Sequence, residues 1–280
     1  MLYKILFILL SFNLSICIGL KALIIPQSAS ILSTSGTGIS YSHEINPALL
    51  LESDSYLSLS KNSWLAGVSG QKISYIFDRR KYISFENLSI NDIELRDEIA
   101  TEEPLGFFGA NWYAAEINES FDLSFYENIT FGYKVKLNYS KLYTESMHGY
   151  SIDIGLNNQI NKNLNIGLLI KNLGREYSNN LRVDNDILLG FGMSYHMPDL
   201  KLILLSDYLV YNQNNLLKFS TITTLPYLNF IIGGTYSELY KDLSFGIKLD
   251  YKKWAFIFGN LNHNNQVLSN PSSVEIRKIF

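Results

Sequence analysis

The sequence predicts an all-β protein, a transmembrane antiparallel β-barrel of about 14 strands with an N-terminal plug segment. Three observations carry the prediction: apolar and polar residues alternate with period two, the alternating runs have bilayer length, and their polar half is small and sparsely charged. From Ile129 the odd positions read Ile129, Phe131, Tyr133, Val135, Leu137 and Tyr139, against Thr130, Gly132, Lys134, Lys136, Asn138 and Ser140. After a polar break over 141–148, Tyr150, Ile152, Ile154 and Leu156 alternate with Ser151, Asp153, Gly155 and Asn157. A helix would scatter these residues around its circumference, whereas a strand puts each set on one face. Such runs match the roughly 9–11 residues a tilted strand needs to cross hydrocarbon. Soluble strands average about five or six.

The totals agree with that class. Only 18% of the 280 residues are charged, and 14% are aromatic, with 19 Tyr and 16 Phe. A membrane barrel needs this mixture, because rings populate both interfaces while half of each strand stays polar. A net charge of −3, and no basic cluster larger than Arg79-Arg80-Lys81, argue against nucleic acid as a partner. The single cysteine, Cys17, lies in the leader, so no disulfide or thiolate metal site is expected in the mature chain.

Residues 1–22 read as a secretory signal peptide: Lys4 supplies the charge, Ile5 to Leu14 the apolar run, and small residues follow, with cleavage after Gly19 or Ala22. Leu14-Ser15-Ile16-Cys17 is a poor lipoprotein box, since Ile16 stands where a small residue belongs. No later segment offers the roughly 18 consecutive apolar residues of a membrane-spanning helix. An exported chain built of bilayer-length amphipathic strands belongs in the bacterial outer membrane, with its lipid as first partner. Alternation by itself also admits a secreted soluble β protein, but such a sheet would show water a more charged face.

Residues 23–52 lack alternation and are read as the plug. Gly36 and Gly38 do not make a phosphate loop, because no Gly-Lys-Ser/Thr ending and no buried strand accompany them. Pro47 lacks an N–H and biases Asn46 away from helix, which makes Asn46-Pro47-Ala48 a corner and the plug motif. The barrel occupies 53–280. Strands are predicted at 54–60, 67–77, 81–88, 106–116, 128–140, 149–160, 164–173, 186–196, 200–211, 216–225, 228–237, 242–251, 254–261 and 273–280. Their number is even, as in single-chain bacterial barrels.

Connections of two or three residues at 78–80, 161–163, 197–199, 226–227 and 252–253 fit the periplasmic side, and longer ones at 89–105, 141–148, 174–185 and 262–272 fit the outside. The stretch 117–127 breaks this rule. The chain ends on an alternating strand with Phe280, which resembles the signal read by the barrel-assembly machinery. Lys278, two residues earlier, is placed to lay its stem along lipid and its ammonium in water.

Catalytic and cofactor chemistry find no foothold. His43, His148, His196 and His263 are scattered without ligand spacing, and no Gly-x-Ser-x-Gly is present, so the chain reads as non-enzymatic and cofactor-free. Lys134 and Lys136 share a face with Asp153 on the next strand. They are candidate lumen charges, either steering an anionic solute or forming a cross-strand ion pair. Tyr41, Tyr56, Trp64, Trp112, Tyr195 and Trp254 read mostly as interfacial girdle residues.

Several segments together resemble the PorV/PorQ family of outer-membrane proteins, related in fold to the FadL long-chain fatty-acid transporters. They are Asn46-Pro47-Ala48-Leu49-Leu50, Gly106-Phe107-Phe108-Gly109-Ala110, Tyr150 to Leu156, and Gly167-Leu168-Leu169-Ile170-Lys171-Asn172-Leu173-Gly174. The resemblance implies a FadL-like barrel and, for some members, a role in type IX secretion with secretion-system components as partners. The step from Ala48 to Leu49 lacks the glycine usual there. The two resulting expectations are a partner-binding barrel that serves secretion or surface display, and a FadL-like passive transporter of hydrophobic small molecules.

Overall fold

The computed structural model describes residues 25–280 apart from 27, 65–66, 97–101, 124–127, 179–180, 212–213, 239–240 and 264–269. The expected signal peptide therefore lies outside the described residues. Among them no helix is long and apolar enough to cross a membrane. Strands follow in the order β1 (Tyr56–Ser63), β2 (Ser69–Phe77), β3 (Lys81–Leu95), β4 (Gly106–Asp122), β5 (Ile129–Leu142), β6 (Glu145–Asn161), β7 (Leu164–Ser178) and β8 (Leu181–Asp184). The remainder are β9 (Leu188–Met197), β10 (Leu202–Tyr211), β11 (Asn214–Thr224), β12 (Leu228–Tyr236), β13 (Lys241–Tyr251), β14 (Trp254–His263) and β15 (Ser272–Ile279).

Every pairing is antiparallel, and β15 pairs back onto β1, from Tyr56 opposite Ile279 to Ser63 opposite Ser272. That pairing closes the sheet, so no backbone edge is left to face lipid. The short β8 pairs only with the outer end of β7, while β9 pairs with the rest of β7. The wall is thus a 14-strand cylinder. Phe85, Ile117, Leu137, Leu168, Phe219, Ile232 and Phe256 are all exposed on its outside, a continuous apolar belt. The intervening residues, such as Ser58, Ser84, Asn138, Ser220 and Ser244, are buried in the lumen.

The observed strands outrun the predicted ones on the loop side in β3, which continues to Leu95, in β6, which starts at Glu145, and in β7, which continues to Ser178, and on the turn side in β4, which continues to Asp122. The predicted outer connection at 141–148 is a two-residue turn, Tyr143–Thr144, because the β5–β6 ladder continues to Leu142 opposite Glu145. Beyond the bilayer the outward face no longer needs apolar residues, so hydropathy alternation fades while backbone pairing continues. The inner connection after β4 includes 124–127, outside the described residues.

One irregularity shapes the wall. Between Ile152 and Ile154 of β6, the facing β7 inserts Lys171 and Asn172 opposite the single residue Asp153. Asn172 takes a left-handed conformation, φ 64°, and its N–H donates to Asp153 Oδ1 at 2.8 Å. This β-bulge falls within the segment Lys171-Asn172-Leu173-Gly174, and bulges of this kind re-aim side chains in a barrel wall.

The plug fills the cylinder. Ser28 caps the one-turn helix α1 (Ala29–Ser33), its hydroxyl accepting from the Ile31 N–H. Left-handed residues Ser35 and Gly36 then reverse the chain. A 3-10 turn over Pro47–Glu52 leads into β1; Asn46 caps it in an extended conformation, with Oδ1 accepting from Ala48 N at 3.0 Å. Proline suits the first helical position because the N–H it lacks would have no partner there.

Candidate functional site: the plug and its two lumen chambers

Asn46 is fully buried and holds the plug to the wall. Its Nδ2 donates to the carbonyls of Ile39 at 2.7 Å and of Leu156 on β6 at 3.1 Å. Pro47 and Asn46 lie directly on Gly132 of β5 and Gly155 of β6, where any side chain would collide with them. Glycine in these lumen rows is what lets the plug backbone touch the barrel. On the opposite wall, the Ser244 hydroxyl of β13 donates to the Ser33 carbonyl at 2.8 Å.

Lys134 stands directly opposite Asp153 in the β5–β6 register, and Lys136 opposite Ser151. Neither ammonium takes Asp153 as its ion-pair partner. Lys136 reaches back to Glu116 of β4 at 2.7 Å and Glu86 of β3 at 3.1 Å, while Lys134 lies 3.9 Å from Glu116 and donates to the Glu44 carbonyl of the plug at 2.8 Å. Asp153 instead pins the bulge. Simple hairpin reading could not find this arrangement, because the acceptors lie on strands 3 and 4 and in the plug. Glu86 also faces Lys72 of β2 at 3.5 Å, and Lys72 lies 3.8 Å from Glu44. Arg277 of β15 pairs with Glu44 at 2.9 Å and Glu275 at 2.5 Å. A ladder of buried charge thus runs from β5 through the plug to β15. Lys171, re-aimed by the bulge, has no carboxylate within ion-pair distance among the described residues.

Electrostatics of the plug follow from this ladder. Burial opposes ionisation of Glu44, but Lys72 and Arg277 overcome it and hold its carboxyl down to about 2. Burial pushes the neighbouring His43 imidazole down to about 3, with Arg277, Lys134 and Lys72 assisting against Glu44. Neutral His43 bridges two hydroxyls, Nδ1 to Ser53 at 2.8 Å and Nε2 to Tyr56 at 2.9 Å.

The plug separates two chambers. The inner one, of about 470 Å³, lies towards the short turns and is lined by Tyr41, His43, Lys162, His196 and Arg277. The outer one, of about 110 Å³, has a charged wall of Lys72, Glu86, Glu116, Lys134 and Lys136, and an aliphatic wall of Ile39, Ile45, Leu169, Leu188 and Leu209. The aliphatic wall belongs to a packed cluster against which Ile31 and Tyr211 also rest.

The aromatic reading needs correction. Tyr195 and Trp254 are exposed on the outer wall, and Lys278 lies over the Trp254 ring at 4.5 Å. Tyr56 and Trp112 are instead buried in the lumen, Trp64 is half-buried beside Trp112, and Tyr41 faces the inner chamber. Trp112 keeps the phase of Ala114, Glu116 and Asn118, the inward set of β4, and that phase was the signal available. Phe280 is exposed at the end of the barrel seam, where its N–H donates to Ser55 O at 3.1 Å and its ring meets Tyr75 edge-on.

No protein-family model matches the chain, and no curated protein matches it by sequence. Solved outer-membrane barrels do match it in fold. The toluene transporter TodX of Pseudomonas putida superposes with a TM-score of 0.64 at 12% identity, over 89% of this chain and 96% of that one. The monoaromatic hydrocarbon channel CymD gives 0.67 at 12%, over 92% and 98%. A Pseudomonas aeruginosa FadL homologue gives 0.62 at 8%, over 92% and 99%. At these identities the likeness is one of fold.

Proposed function

We propose that this barrel is a passive channel for hydrophobic small molecules across the bacterial outer membrane. The observation that carries the reading is the aliphatic wall of Ile39, Ile45, Leu169, Leu188 and Leu209 beside the plug, an apolar surface lining a chamber of the lumen. Pockets that take small ligands combine such a surface with a few placed polar groups. The fold supports the same reading, since TodX and CymD are named for transport of toluene and monoaromatic hydrocarbons. At about 110 Å³ the chamber is smaller than the engineered cavity of about 150 Å³ that holds benzene, so passage requires it to widen. The test is radiolabelled toluene uptake by cells carrying the barrel in their outer membrane. Uptake faster than in cells without it, and slowed by Leu209→Asp, is the expected result; equal rates would refute the reading.

A second reading, a PorV/PorQ-type partner-binding barrel serving secretion or display, draws on the outer hairpins. Leu105 and Phe107 at the loop end of β4, and Leu181 on β8, are 63%, 65% and 67% exposed. Exposed apolar groups of this kind mark contact surfaces. Co-purification of secretion components from native outer membranes, lost on Phe107→Ser, would favour it over the channel.

A further inference from the structure

Ile31 and Glu44 are the two side chains, among the described residues, that line both chambers. We propose that they form the partition of an axial path, and that turning them aside joins the chambers while the plug backbone stays in place. This rests on the channel reading and adds the route and the residues that gate it.

Displacing the whole plug would break many bonds at once. Asp207 of β10 accepts from the N–H groups of Gly38 at 2.6 Å and Ile39 at 3.1 Å, and Lys218 of β11 donates to the Ser35 carbonyl at 2.9 Å. Lys134 and Asn46 hold the far side. The partition itself is held through side chains rather than backbone. The Ile31 side chain is apolar and rests on the aliphatic cluster. Glu44 is held through its side chain to Ser30 Oγ at 2.9 Å, Arg277 and Lys72. Both cations have a second carboxylate in place, Glu275 for Arg277 and Glu86 for Lys72. Glu44 can therefore swing into the larger inner chamber, where water can hydrate its carboxylate, without leaving either buried cation unpaired, and an uncompensated buried charge is what makes breaking a buried ion pair costly.

The test is single-channel conductance of the full barrel in planar bilayers. Ile31→Ala and Glu44→Gln are expected to raise conductance several-fold over the parent, and lipid-facing Ile232→Ala to leave it unchanged. Should Ile31→Ala fail to fold, the nearly isosteric Glu44→Gln decides. Variants that keep heat-modifiable migration yet conduct no better than the parent overturn the partition. Toluene uptake separates the two claims. Uptake by the parent without any conductance rise in the variants defeats the partition and leaves the channel reading standing. Raised conductance with no toluene uptake in any form upholds the partition and defeats hydrophobic transport.

Discussion

Asn46 shows how much one side chain can hold in place. Its amide serves the Ile39 and Leu156 carbonyls and its oxygen the Ala48 N–H, all out of water. Asn46→Ala strands these groups, and each buried unsatisfied group costs about 1–3 kcal/mol. Chemical denaturation in detergent should show a loss of that size, with the plug becoming sensitive to protease before the barrel. His43 makes stability depend on pH. Unfolded, its imidazole titrates near 6.5, while folded it stays neutral down to about 3. The unfolded chain therefore binds the extra proton in that window, so stability present above 6.5 falls as pH drops towards 3. Glu44 continues the trend from 4.5 to about 2. Unfolding midpoints measured across this range should decline, and His43→Gln should flatten the upper part of the decline.

At the scale of elements, the four strands β2 to β5 act as one ionic unit. Glu116 takes Lys134, Lys136 and the Ser84 hydroxyl, so Glu116→Leu leaves two buried ammonium groups short of a partner. Removing one member of a buried pair costs on the order of 3–5 kcal/mol. Adding Lys136→Met should recover part of that loss, and a double-mutant cycle by thermal unfolding measures the coupling. Fully additive losses would mean the charges act independently. The alternation along β5 put Lys134 and Lys136 on its polar face, and both side chains are buried. The partners were hidden because a lysine side chain spans more than one strand spacing, and because Glu44 comes from a segment without periodicity.

For the whole molecule, closure through β1 and β15 governs behaviour. A closed ladder leaves no edge from which to peel the sheet, so the barrel should migrate faster before boiling than after on a denaturing gel and stay in the outer-membrane fraction. Phe280 ends the closing strand on the lipid side, against Tyr75. Deleting it should lower the folded, membrane-inserted fraction in cells, as read by heat-modifiable migration, while leaving the stability of barrels already assembled nearly unchanged.

Period two, run length and a small polar half already specify a cylinder and which face of each strand meets lipid, because a strand offers its side chains only two directions. The sequence also determined the corner at Asn46-Pro47, since proline and the residue before it restrict the backbone locally. Which charges meet across strands, and that Ile31 and Glu44 line both chambers, emerge only once the plug lies inside the closed wall. Those facts depend on how a wound segment lies inside a closed wall, and distance across a lumen leaves no periodic trace along the chain.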